Sequence, residues 1–211
     1  VNTNWIIIPG ERLVSAEKTM DESAKQTPQF VSRAGQKLNH ALKTFGLNPT
    51  GKICADLGCS TGGFTDCLLQ NGAAKVFAVD TGYGVLDWKL RNDPRVVVME
   101  RVNAMHVELA QQVDMVSIDV AWTRQRRILP SAKRLIGPAG IVVTLIKPHY
   151  EAVASQLRKG VLDVDQIPSV LNAVRADIEE AGYQQLQIVE SPVKGSKGNT
   201  EFLAMLKIKG S

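Results

Sequence analysis

Cysteine is sparse, long apolar runs are missing, and no segment repeats. The three cysteines of this 211-residue chain, Cys54, Cys59 and Cys67, fall in one stretch without a C-x-x-C pair. That spacing argues against a disulfide framework or a zinc site and suits a reducing, cytoplasmic setting. The longest apolar run, Ile141 to Ile146, is interrupted by Thr144 and followed by Lys147-Pro148. A bilayer span needs roughly 18 to 20 apolar residues. Trp5-Ile6-Ile7-Ile8-Pro9 is too short for a signal-peptide core and lacks a basic flank. Neither charge sign dominates: 25 Lys and Arg against 21 Asp and Glu leave +4. Such an excess is compatible with a polyanionic partner, but many ordinary enzymes share it.

What the chain does have is a 44% hydrophobic content, enough for one sizeable domain with a short appendage. Residues 1–29 look poorly specified and read as an arm or truncated linker; the domain runs over 30–211. From Phe30 the pattern tightens. Ser32 is expected to cap a helix carrying Ala34, Leu38, Ala41, Leu42 and Phe45 on one side, with Gly46 as its stop. Strands are expected at 53–56, 75–80, 95–99, 113–119 and 140–147, and an antiparallel pair at 183–189 and 201–207. Helices fit at 64–71, 86–91, 107–111, 124–136 and 166–182, with a break or kink at Pro130. The β-α-β-α alternation predicts an α/β fold, a parallel sheet with helices on both faces.

The chemistry gathers at strand ends, where open α/β sheets bind ligands. Asp56-Leu57-Gly58-Cys59-Ser60-Thr61-Gly62-Gly63-Phe64 ends a strand in an acid, then gives a small-residue loop and a helix start. The spacing fails the dinucleotide fingerprint G-x-G-x-x-G, so a pyrophosphate ligand such as NAD is disfavoured. A ligand without phosphates would use Asp56, the loop backbone and Asp80, a strand-end carboxylate able to accept both ribose hydroxyls. The loop therefore suits S-adenosylmethionine (SAM); the plain alternative is an ordinary βα turn. Asn103 could pair with an adenine edge or simply cap a helix starting near Met105. Asp119 and Lys147 each end a strand; if those two strands are neighbours, they could form a working pair or a structural one. Lys37 and Glu201, taken alone, read as surface residues.

Five motifs change that. Ser32-Arg33-Ala34-x-x-Lys37-Leu38, Asp56-Leu57-Gly58-x-Ser60-Thr61-Gly62-Gly63-Phe64, Asp119, Lys147-Pro148 and Gly198-Asn199-x-Glu201-Phe202 resemble, in this order, the FtsJ-type RNA 2′-O-methyltransferases. Thr65-Asp66-Cys67-Leu68-Leu69, Gly82-Tyr83-Gly84, Leu86-Asp87-Trp88-Lys89-Leu90-Arg91 and Ser191-Pro192-Val193-Lys194-Gly195 resemble the TlyA, or haemolysin-like, branch. The resemblance implies a Rossmann-like seven-stranded sheet, mostly parallel with one antiparallel strand, the fold of SAM-dependent methyltransferases. It implies a catalytic tetrad of Lys37, Asp119, Lys147 and Glu201. It also implies a SAM site built from Asp56, Gly58, Ser60, Thr61, Gly62, Gly63, Phe64, Asp80, Asn103 and Asp119. The substrate would be RNA, ribosomal RNA or ribosomal subunits. Lys147 would be the base or hydroxyl-orienting group, Asp119 and Glu201 would orient it, and Lys37 would bias the local field.

The chain also departs from that pattern. The branch usually carries an S4-type RNA-binding domain before the core, and the 29 residues before Phe30 do not resemble one. After Asp119 comes Val120-Ala121-Trp122-Thr123-Arg124-Gln125-Arg126-Arg127 instead of an apolar Ser-Phe-Ile-like stretch. Trp122 could stack on a base, and Arg33, Arg124, Arg126 and Arg127 could bind phosphates. The commoner arrangement packs the tryptophan on the core and leaves the arginines on a solvated helix face. The glycine-rich stretch after Lys-Pro becomes Arg158-Lys159-Gly160-Val161. Competing classes are a SAM-fold RNA binder without turnover, a haemolysin-like membrane-active protein and a NAD-dependent oxidoreductase. No basic amphipathic helix supports the membrane reading.

Overall fold

The structure is a computed structural model and describes residues 29–210. The arm expected over residues 1–29 lies outside the described residues, Gln29 excepted. In chain order the elements are α1 (Ala34–Phe45), β1 (Ile53–Leu57), α2 (Gly63–Gln70), β2 (Lys75–Val79), α3 (Trp88–Arg91) and β3 (Val96–Met99). Next come β4 (Val113–Ile118), α4 (Gln125–Leu135), β5 (Ile136–Ile146) and α5 (Pro148–Glu151). A small hairpin, β6 (Leu157–Arg158) and β7 (Val161–Leu162), precedes α6 (Ile167–Glu180), β8 (Tyr183–Glu190) and β9 (Phe202–Ile208). Seven strands form one sheet in the order β3-β2-β1-β4-β5-β9-β8. β9 runs antiparallel to both its neighbours, and the other pairings are parallel.

Both sheet faces are buried, so the strands read as near-continuous apolar runs. Cys54, Val76, Met115, Val143 and Leu145 pack under α1 and α2. Ala55, Leu57, Val116, Ile118 and Ile146 point the other way and pack under α4 and α6. The three- and four-residue spacing of Leu38, Ala41, Leu42 and Phe45 puts one side of α1 on the core. Gly46, at φ 66°, ends that helix in the left-handed region.

Four local expectations are corrected. Ser32 does not cap α1: the N-cap is Arg33, without a side-chain bond, and Ser32 contributes only its carbonyl, to the Gly35 N–H. No helix forms over 107–111; so short a segment cannot repay helix nucleation when Val107 is its one fully buried residue and Leu109 is only half-buried. Pro130 neither breaks α4 nor ends it. The carbonyl it leaves without an N–H partner belongs to exposed Arg126 in the first turn, within reach of water. β5 starts at Ile136, directly after α4, because Val113 pairs with Ile136 before the register shifts to Met115 with Ile141.

Ile178 of α6 is fully buried in the cluster that holds Ile128 and Leu129 of α4. Ile178→Ala is expected to cost about 2–5 kcal/mol in urea unfolding. A loss under about 1 kcal/mol would show that α6 does not seal this face.

Candidate active site

Strand register builds the site. Leu57 pairs with Ile118 across β1 and β4, so Gly58 and Asp119 leave the sheet side by side. A Cβ on Gly58 would lie 2.8 Å from the Asp119 carbonyl oxygen, and its φ of +85° suits only glycine well. Ile146 pairs with Phe202 across β5 and β9, so Lys147 and Glu201 are the next opposed positions beyond the ladder. α1 delivers Lys37 from above. Lys37 Nζ lies 2.6 Å from Glu201 Oε2, and Lys147 Nζ lies 2.6 Å from Asp119 Oδ1. Lys147 Nζ also donates to the Val120 carbonyl at 3.1 Å. All four side chains line one cleft of about 340 Å³, together with Arg33, Tyr150 and Lys194.

Two further cavities adjoin this cleft. One of about 360 Å³ is lined by Gly58, Ser60, Asp80, Asn103, Asp119 and Trp122, among others. The other, about 230 Å³, is lined by Ser32, Gly58, Ser60, Thr61, Phe64 and Lys147, among others. Asp119 borders all three. The larger of the two carries two carboxylates, Asp80 and Asp119, and no cationic side chain. That chemistry suits a cationic ligand with neutral sugar hydroxyls and opposes a phosphate. Asp80 accepts the N–H groups of Ser60 at 2.8 Å and Gly82 at 2.7 Å, which uses two of a carboxylate's roughly four acceptor positions. Asn103 accepts the Met105 N–H at 2.9 Å, capping a turn rather than a helix, and its residue still lines the cavity.

Three of the expected cofactor contacts lie elsewhere. Asp56 is fully buried beneath the loop, where its carboxylate accepts from Thr65 at 2.7 Å and Ser117 at 3.0 Å. It pins the turn from behind instead of facing a cavity. Gly62 packs toward α3, where a Cβ would lie 2.3 Å from Leu90, and Gly63 packs toward Ser32, with 2.2 Å to its hydroxyl. These two glycines serve close packing. Reasoning from sequence also left Gly195 and Tyr150 unassigned. A Cβ at Gly195 would lie 2.0 Å from Glu201 Oε1, so this glycine makes room for the carboxylate. Its place in Lys194-Gly195, six residues before Glu201, was the available signal.

Trp122 is 84% exposed, so the core-packing arrangement does not hold for it. Its indole stacks on Tyr150 with centroids 4.8 Å apart. Arg126 and Arg127 are exposed on α4, whereas Arg124 is half-buried and donates to the Ala152 carbonyl. Among the described residues five that are not glycine have positive φ: Ser60, Arg101, Trp122, Lys159 and Lys197. Such conformations cost on the order of 1 kcal/mol or more each and concentrate at functional sites.

Burial pushes the Cys54 and Cys67 thiols up to about 12 and raises Cys59, the one that lines a cavity. No thiolate is on offer there. Burial also raises the Asp56 carboxyl from 3.8 to about 7, against the bonds from Thr65 and Ser117 that lower it.

The sheet order, the strand-end cavities and the glycine turn define a Rossmann-like methyltransferase fold. A solved SAM-dependent methyltransferase from Mesorhizobium loti shares it at 15% identity, with a TM-score of 0.60 over 79% of this chain and 95% of that one. More narrowly, the chain belongs to the FtsJ-like methyltransferase family, whose profile matches residues 30–208. Hemolysin A of Brachyspira hyodysenteriae is 41% identical over 85% of this chain and 77% of its own length. The 16S/23S rRNA (cytidine-2′-O)-methyltransferase TlyA of Mycobacterium tuberculosis is 39% identical over 84% of this chain and 68% of its own. A solved structure named as a hemolysin, from Streptococcus thermophilus, is 40% identical with a TM-score of 0.85, covering 89% of this chain and 70% of that one. Among the described residues no helix is long and apolar enough to cross a membrane.

Because the folded pKa of Asp56 is raised, the folded state keeps a proton that the unfolded chain releases from about pH 4 upward. This contribution to stability is complete below pH 3.8 and is lost as pH rises through about 7. Asp56→Asn should remove that slope. Unfolding free energies at pH 5 and pH 8 should show wild type losing roughly 3 kcal/mol relative to the variant. Parallel curves would contradict the assignment.

Proposed function

We propose that this chain transfers a methyl group from SAM to a ribose 2′-hydroxyl of RNA, with ribosomal RNA or a ribosomal subunit as substrate, and that residues 30–211 form the catalytic unit. One observation carries the reading: a Lys-Asp-Lys-Glu cleft shares Asp119 with a phosphate-averse, two-carboxylate cavity. The family and the naming of the M. tuberculosis relative as a cytidine-2′-O-methyltransferase support it.

The residues fit the cofactor. Asp80 would hold ribose hydroxyls, the Gly58–Thr61 turn would lie against the ligand, and Asp119 would face the cation. When bound, SAM supplies a methyl group on positively charged sulfur. A 2′-hydroxyl is a weak nucleophile, and the chain must place it and take its proton. In its unprotonated amine form Lys147 orients the hydroxyl and receives that proton at Nζ, and Asp119 Oδ1, 2.6 Å away, stabilises the ammonium that forms. Lys37 and Glu201 form the matching pair that positions the ribose. General-base assistance is worth about 10²- to 10⁴-fold. Correct alignment of reacting groups is worth more, up to about 7–11 kcal/mol, so the rigid placement of the tetrad outweighs proton removal. The raised Cys59 thiol disfavours attack through a cysteine on a base ring. Trp122, stacked on Tyr150 at the seam between cofactor cavity and cleft, is the base-stacking surface in this reading, and Arg33, Arg126 and Arg127 contact phosphates.

Methyl-labelled SAM and purified ribosomal RNA test the reading, with the product mapped for ribose against base methylation. Label is expected on a ribose oxygen, and Lys147→Ala should lower the rate by about 10²- to 10⁴-fold at an unchanged melting temperature. Label on a base, or full activity in Lys147→Ala, would overturn the proposal. Binding of RNA without transfer would identify a non-catalytic RNA binder. Trp122→Ala should raise KM for RNA by about 5- to 100-fold, the equivalent of one lost base stack, with a smaller effect on kcat. An unchanged KM would remove Trp122 from the substrate surface.

A further inference from the structure

Two Lys-Gly pairs meet in an unusual backbone conformation. Lys159 and Gly160 form the two-residue turn between β6 and β7, with φ of +53° and +82°. Lys197 and Gly198, in the loop before β9, have φ of +54° and +80°. Asn, Asp or Gly is the favoured residue at the first position of such a turn, because glycine has no Cβ to crowd the following carbonyl and the short polar side chains of Asn and Asp offset that crowding by bonding locally. Both sites nevertheless carry lysine, and the two turns touch: Lys197 Nζ donates to the Lys159 carbonyl at 3.0 Å.

Buried Asn199 clips the turns together. Its Oδ1 accepts the Leu162 N–H at 3.1 Å, and its Nδ2 donates to the Gly160 and Ser196 carbonyls at 3.0 Å each. The corner sits at the rim of the tetrad cleft, since Val193 to Ser196 line that cleft and Asn199 lies two residues before Glu201. Both lysines are exposed. The nearby Arg158 and Lys194 are offset by Asp163 and Glu190. Among the described residues the Lys159 ammonium meets no carboxylate. Of the other three non-glycine residues with positive φ among the described residues, Ser60 and Trp122 border the proposed cofactor cavity. The strained lysines thus belong to the same functional edge of the molecule.

We infer that Lys159 and Lys197 form a clamp for the phosphodiester backbone of the RNA strand whose ribose enters the tetrad cleft. The inference rests on the ribose reading of that cleft. Two exposed lysines on touching turns at the cleft rim match a phosphate contact that fixes register and carries no sequence preference. Lysine at positions better suited to asparagine is then a stability cost retained for binding.

The test uses the full chain and radiolabelled, protein-free 16S and 23S ribosomal RNA in filter binding across a salt series. For the double variant Lys159→Asn/Lys197→Asn, the slope of log K against log salt should shrink by about 1.5, roughly two phosphate contacts. Its melting temperature should equal or exceed wild type, a direction that a merely structural lysine would not give. Lys159→Arg/Lys197→Arg should keep the slope. Wild-type slope and affinity in the asparagine variant, or no RNA binding by wild type, would overturn the clamp. The two proposals fail separately: methylation without a change in slope sinks only the clamp, and an altered slope without ribose methylation sinks only the reaction.

Discussion

The antiparallel ladder between β5 and β9 is the constraint on which the site depends. Val142 to Ile146 pair with Leu206 to Phe202 without a register shift, and every side chain of the ladder except half-buried Phe202 is buried on one sheet face or the other. A slip of one residue would turn each of these side chains to the wrong face, so the core fixes the register. Lys147 and Glu201 are the first residues beyond that ladder. Their meeting is inherited from hydrophobic packing some distance below them, and the 53 positions of intervening sequence are free to serve other ends. Asp119 is placed in the same way by β1 and β4. The tetrad is therefore an edge property of a buried sheet.

The loop from Asp56 to Phe64 shows how one motif divides its labour. Gly58, Ser60, Thr61 and Phe64 reach the cavities. Gly62 and Gly63 instead admit α3 and the segment before α1. Asp56 holds the turn from beneath through Thr65 and Ser117. A buried carboxylate is costly, and its two hydroxyl partners only partly offset that. The arrangement fixes the loop backbone at some expense of stability at neutral pH.

The seven strands of the main sheet were legible to within a residue or two, save the early start of β5, because burial on both faces leaves mainly apolar runs such as Val113–Ile118 and Gly140–Ile146; the short β6–β7 hairpin carries no such run and was not foreseen. The grouping of the tetrad was legible only through the order of five motifs, since Lys37 and Glu201 carry no local mark. What escaped was set by tertiary packing. Pro130 sits where its missing bond falls on solvent. Ser32 lost its capping role because Arg33 starts the helix with its own backbone. Asp56 turned inward because β1 is central in the sheet, with neighbours on both sides. Trp122, four residues past the end of β4 and itself in the left-handed region, faces outward and stacks on Tyr150.

The three native thiols carry an experimental consequence. Cys54, Cys59 and Cys67 are all free and all belong to the layer under α1 and α2, with none in the layer under α4 and α6. A thiol-reactive reagent added to the intact protein therefore reports the opening of one layer alone. Comparison with global unfolding would reveal whether the two halves of the sandwich loosen together or in turn. The same burial leaves the described surface clear for a single introduced cysteine, so a label can be attached without first removing the native ones.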